Sequence, residues 1–246
     1  DIPAEELVQS EWREPTTEPS TPLRSPQQRM LETLSDLPGA ALWHHAPSGL
    51  GGDVAFALPL RNQLYIVLID GSGSGAAAAA SALALSAFIW GILQSAVGVC
   101  WPAEILEQTE RLPAPLGGPE QGAALVVLFD RTHRTLHHAR GQGVPHPYLR
   151  NGSRTGPLPG RPSRLGRFHE GRVQDLATGS LLLLATDGVA NQGRADGGPL
   201  WSSPDIKTWV SRTQSAEHLV QQVSQRVQRG RPLGSDDDML VVAVEL

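Results

Sequence analysis

Four aspartates of this chain share one local context. Asp53 follows Gly51-Gly52, Asp70 ends an apolar run and precedes Gly71, and Asp187 ends another and precedes Gly188. Asp237 stands in Ser235-Asp236-Asp237-Asp238, just ahead of the last apolar run. Carboxylates at the ends of apolar strands converge if those strands are neighbours in a sheet. Two of them about 4 Å apart at an effective dielectric near 20 repel by about 4 kcal/mol, so a cluster needs protons or a cation. With oxygen donors and no Cys or His in these contexts, the cation expected is magnesium, manganese or calcium rather than zinc. The adjacent glycines let a backbone carbonyl approach as a further hard ligand. Taken singly, an Asp-Gly pair after a strand reads as an ordinary turn.

The elements that would carry these residues follow from periodicity. Val54 to Leu60 and Leu64 to Ile69 flank the hairpin-length connection Arg61-Asn62-Gln63, and the second run is continuously apolar, like a strand buried on both faces. Further strands are predicted at Ala123 to Phe129, Thr135 to Ala139, Leu181 to Ala185 and Met239 to Leu246. Tyr148-Leu149-Arg150 leads into Asn151-Gly152, a type I′ turn signal. Helical spacing predicts Gln27 to Leu37 (stopped by Pro38-Gly39), Gly75 to Val99, Ala103 to Arg111, Ile206 to Thr213 and Ala216 to Arg229. Antiparallel strand pairs with helices grouped between them define an α+β layered domain rather than a doubly wound one.

These motifs, in this order, resemble the metal-dependent protein phosphatases (the type 2C, or PPM, superfamily) in the bacterial branch named after stage II sporulation protein E. Leu50-Gly51-Gly52-Asp53 resembles the family's first acidic motif, and Asp70-Gly71-Ser72-Gly73-Ser74-Gly75 its Asp-x-Ser-Gly-His-Gly motif. Thr186-Asp187-Gly188-Val189 resembles Thr-Asp-Gly-Val, and Gly234 to Met239 the terminal Asp-Asp motif; weaker echoes lie at Ala139 to Pro147 and Arg164-Leu165-Gly166. The resemblance implies a four-layer αββα sandwich with a centre for two divalent cations, Mn or Mg. In it Asp70 would bridge both, the Gly71 carbonyl would bind one, Asp187 and Asp237 the other, and Asp53 would complete the shell directly or through water. Asp70, Asp187 and Asp237 are then the catalytic candidates, and the activity implied is hydrolysis of phosphoserine or phosphothreonine by a metal-bridging hydroxide. The partner implied is a phosphorylated regulatory protein of the anti-anti-sigma (STAS) type. Two departures bear on substrate handling: Ser74 replaces the family's His, and Ala-Gly-His-Pro-Pro becomes Ala139-Arg140-Gly141-Gln142-Gly143-Val144-Pro145.

Composition bounds the rest. The 246 residues suit one large domain, and Cys100, the single cysteine, excludes disulfide frameworks and cysteine-rich metal sites. Residues 1 to 25, acidic and then Pro/Ser/Thr-rich, read as a leader or linker, with the phosphatase-like domain from 26 to 246. No secretory signal opens the chain, and the uncharged run Gly71 to Ala103 reads as a helix buried on most sides rather than a span, so a cytoplasmic location without membrane is expected. The net charge of −5 opposes nucleic-acid binding. Within that average, Arg131 to Arg172 holds nine Arg and five His against one acid, a segment expected to form a solvated surface that could steer an acidic phosphoprotein. Gly71-Ser72-Gly73-Ser74-Gly75-Ala76 also fits a dinucleotide fingerprint, but Asp70 would face the pyrophosphate and no acid follows before Glu104 to hold the ribose. A catalytically slow metal-binding relative is the other alternative.

Overall fold

A computed structural model describes residues 25–47, 51–73, 75–112, 122–161, 168–192, 198–230 and 237–246. The expected leader, Leu50, Ser74, Arg164 to Gly166 and Gly234 to Asp236 lie outside the described residues. The helices are α1 (Pro26–Ser35), α2 (Gly75–Ser95), α3 (Pro102–Thr109), α4 (Asp187–Ala190), α5 (Pro204–Arg212) and α6 (Ala216–Gly230). The strands are β1 (Ala40–His45), β2 (Asp53–Leu60), β3 (Gln63–Gly71), β4 (Gly122–Asp130), β5 (Thr135–Arg140), β6 (Tyr148–Asn151), β7 (Arg154–Pro157), β8 (Gly171–Val173), β9 (Leu181–Ala185) and β10 (Met239–Glu245).

Two five-stranded sheets form, in the orders β1-β10-β9-β6-β7 and β2-β3-β4-β5-β8. Every strand pair is antiparallel. The apolar runs are continuous because each central strand is covered on both faces. Leu64, Ile66 and Leu68 of β3 meet Leu182, Leu184, Leu240, Val242 and Val244 of the other sheet in the inter-sheet core. Tyr65, Val67 and Ile69 point the opposite way, into a second core with Leu85, Ile89 and Leu93 of α2 and Ile105 and Leu106 of α3. The outer face of the other sheet is closed by α5 and α6 through Ile206, Val210, Leu219 and Val223. The result is the expected αββα sandwich.

α1 closes one edge of the inter-sheet layer with Leu31 and Leu34. Its start is set by a capping box in which Ser25 and Gln28 satisfy each other's backbone N–H, with Pro26 in the first turn.

The structure corrects four local expectations. α2 ends at Ser95 and is buried along one face only; Ala76, Ala77, Ala80, Ala87 and Gly91 face outward, where small side chains leave little apolar area. By length and composition α2 could cross a membrane, but its buried face packs on β2, β3 and β4. Cys100 lies in the α2–α3 connection rather than within the helix. The β6–β7 turn is shifted by one residue: Asn151 pairs with Arg154, so Gly152 and Ser153 are the turn and Gly152 takes the positive φ of 59°. Asn151 instead stays in the strand and accepts from Ala177 N and Ser180 Oγ. Finally, the Arg/His segment is not solvated throughout, since His137, His138 and Arg140 of β5 are buried.

Candidate metal centre

The antiparallel register sets Asp53 of β2 directly opposite Asp70 of β3. Asp187 follows β9 and Asp237 precedes β10, its neighbour in the other sheet. Both strand pairs end on the same side of the sandwich, and the two sheets meet there: the Asp187 backbone N–H donates to Asp70 Oδ2 at 3.2 Å. Asp70, Gly71, Asp187 and Asp237 line one open cavity of about 340 Å³, together with Ser72, Gly73, Gly122, Ala123, Gln142 and Gly143.

Asp53 occupies a different layer. It is buried behind Asp70, and the Thr186 hydroxyl donates to its Oδ2 at 2.6 Å. Asp53 is not among the cavity-lining residues, so of the predicted ligands it is the one that the structure sets back.

The chain approaches itself very closely here, and glycine makes that possible. A Cβ on Gly71 would sit 2.8 Å from Ala78 O and 2.9 Å from Gly52 O. One on Gly188 would stand 2.0 Å from Asp238 O. Both positions are the glycines that follow the aspartates in the sequence motifs.

The electrostatics follow from burial and like charge. Burial, then the charges of Asp70 and its neighbours, hold the Asp53 carboxyl well above the usual carboxylate range against the opposing Thr186 hydrogen bond. Asp70 is pushed up to about 7 by burial and by Asp187, and Asp237 is raised by burial and Asp187. Among the described residues no group of three or more His, Cys, Asp or Glu is already arranged to hold a metal ion. The carboxylates converge on the cavity without forming such a group. Their chemistry nevertheless fits a hard divalent cation: oxygen donors only, carboxyls whose charge is resisted by their neighbours, and the Gly71 backbone at the cavity wall.

Three residues escaped the sequence reading. Asp238 turns inward and accepts from Gly52 N at 2.5 Å, while Asp237 beside it faces the cavity; nothing in an Asp-Asp-Asp run distinguishes them. Thr186 belonged to a motif without a role. Gln27, 3% exposed, donates through Nε2 to Gly51 O at 3.0 Å and Asp53 O at 2.7 Å, and nothing in Gln27-Gln28 marks the first of the pair as the buried one.

The two-sheet sandwich flanked by helices is the fold of the PP2C domains. The chain belongs to the stage II sporulation protein E (SpoIIE) family, whose model matches residues 61–246. The SiaA-PP2C domain of Pseudomonas aeruginosa superposes with a TM-score of 0.72 at 20% identity, covering 90% of this chain and 90% of that one. RsbX in complex with magnesium gives 0.62 at 18% identity, covering 84% and 94%. The PP2C domain with a regulatory fragment of SpoIIE from Bacillus subtilis gives 0.69 at 17% identity, covering 85% of this chain and 63% of that one. At these identities the likeness speaks for the fold. No curated protein sequence matches the chain. The dinucleotide alternative falls with the topology, because β3 lies in an antiparallel hairpin and not in a βαβ unit.

Proposed function

We propose that this domain is a Mn- or Mg-dependent phosphatase acting on phosphoserine or phosphothreonine of a regulatory protein. The observation that carries the reading is the meeting of Asp70 and Gly71 from one sheet with Asp187 and Asp237 from the other around one cavity. Asp70, the Gly71 carbonyl, Asp187 and Asp237 are the groups that would hold the cations, with Asp70 shared between them. Asp53, set behind Asp70, would complete the shell directly or through water. A pair of such cations supplies the positive charge that offsets the phosphoryl oxygens and lowers the pKa of a water.

The protein's own contribution is placement. The carboxylates sit at or beside the ends of β2, β3, β9 and β10, whose side chains are buried, so their separation is held by the packed part of the fold. Thr186 orients Asp53, and the Asp187 N–H orients Asp70. The cavity, about 340 Å³ and open, gives a peptide-borne phosphate access to the carboxylates. The Cys100 thiol lies in the α2–α3 connection, and no lining residue is a cysteine, so a cysteinyl phosphoenzyme has no place here. SpoIIE and a chain from a structure of the bacterial stressosome are among the proteins of like fold, which supports a signalling protein as the partner; a phosphorylated STAS-type protein is the substrate proposed. The domain is taken to run from residue 26 to 246 and to work in the cytoplasm.

Hydrolysis of p-nitrophenyl phosphate with and without manganese tests this, using wild type, Asp70→Asn and Asp187→Ala. Manganese-dependent turnover lost by at least about a hundred-fold in both variants supports it. Turnover that persists in chelator, or in both variants, would end it.

A further inference from the structure

The loop after β5 lines the same cavity as the carboxylates, through Gln142 and Gly143. This is where the chain departs from the family's Ala-Gly-His-Pro-Pro pattern. A phosphomonoester dianion presents terminal oxygens that only accept hydrogen bonds. Ionised carboxylates also only accept, so they cannot serve those oxygens directly. Among the described lining side chains Ser72 and Gln142 carry an N–H or O–H donor, and Gln142 is the one on the loop after β5.

The loop is held from both ends. On one side Gly141 N donates to Ala124 O at 2.8 Å. On the other, the buried Arg140 reaches across the loop and donates through Nη1 to Val144 O at 2.5 Å. Its Nη2 lies 2.8 Å from His146 Nε2, and His146 O in turn accepts from Trp201 Nε1 at 2.6 Å. Gly143 at φ 103° supplies the left-handed step that turns the chain back, leaving the Gln142 side chain exposed at the loop tip. A buried cation with no carboxylate partner among the described residues is costly, yet here it spans the loop whose tip borders the site.

The geometry points to Gln142 as a substrate-binding residue whose Nε2–H donates to a terminal phosphoryl oxygen, with Arg140 as the positioning residue that sets its loop. The assignment rests on the reading of the cavity as a phosphatase site.

The test pairs equilibrium binding with kinetics on the manganese-loaded protein. Inorganic phosphate is titrated calorimetrically into wild type, Gln142→Ala, Gln142→His and Gln142→Glu, and KM and kcat are measured with p-nitrophenyl phosphate. Gln142→Ala should weaken phosphate binding and raise KM by about ten-fold, the effect of one hydrogen bond to a charged group, without moving the manganese half-saturation. Gln142→His, which keeps an N–H donor, should recover most of the loss, and Gln142→Glu should be worse than Ala because it adds a repelling charge. Arg140→Met, checked for a cooperative melt, should raise KM similarly. Combined with Gln142→Ala it should add little, because both changes remove the same contact. Unchanged phosphate affinity and KM in Gln142→Ala, or full additivity with Arg140→Met, overturns the assignment. Wild-type turnover with no Gln142 effect overturns this assignment alone, whereas manganese-loaded wild type that neither binds phosphate nor turns over overturns both readings.

Discussion

The Thr186 hydroxyl donates to Asp53 Oδ2 at 2.6 Å and accepts from Leu240 N at 3.0 Å, so one side chain ties the carboxylate of one sheet to the last strand of the other. Its loss leaves a buried carboxylate and a buried N–H short of a partner. Thr186→Val should destabilise the domain by about 1–3 kcal/mol in urea unfolding, with Thr186→Ser recovering most of it. Wild-type stability in Thr186→Val would deny the bridge its role.

Asp70 links pH to stability. Its carboxyl is pushed up to about 7 in the fold from an ordinary 3.8, so between those values the folded chain holds the proton more tightly than the unfolded one. That contribution is fully present at acid pH and is lost as pH rises through about 7. In chelator, Asp70→Asn should therefore raise the melting temperature at pH 8, by about 2–4 °C for each kcal/mol of repulsion removed, and change it little near pH 4. Calorimetry at the two pH values checks the sign. Manganese should stabilise wild type more at pH 8 than at pH 5, and Asp70→Asn much less at either.

Gln27 fastens α1 to the start of β2, where Asp53 stands, through hydrogen bonds to Gly51 O and Asp53 O. Gln27→Leu keeps the bulk and removes both donors. A stability loss of about 1–2 kcal/mol is expected, with a raised manganese half-saturation, because the Asp53 backbone is no longer anchored. An unchanged half-saturation would separate α1 from the site.

Gly188 has no room for a side chain, since a Cβ would fall 2.0 Å from Asp238 O. Gly188→Ala must push the Asp187 turn away from the β10 entry. We expect destabilisation of about 1–3 kcal/mol and a larger proportional loss of metal-dependent turnover.

Much of this was legible in the sequence because the central strands are buried on both faces. Leu64 to Ile69 and Leu181 to Ala185 read as strands without ambiguity, and the aspartates at their ends follow from them. β1 was not legible: Ala40 to His45 is evenly half-buried, so no alternation marks it. α2 misled for the opposite reason, as an Ala- and Leu-rich helix has no polar face to tell its buried side from its outer one. The site's depth was also hidden. Spacing treats Asp53 and Asp70 alike, and only the register and Thr186 set one behind the other. Arg140 and Gln142 looked like decay of a motif, because a buried arginine that spans its own loop leaves no local pattern.

The most direct test of the centre is to titrate manganese into metal-free protein and count bound ions by the electron paramagnetic resonance of the free ion. Wild type should bind two per chain, and Asp70→Asn should lose both, because the bridging carboxylate serves each. Wild type that binds none, or Asp70→Asn that binds as wild type does, would contradict the account.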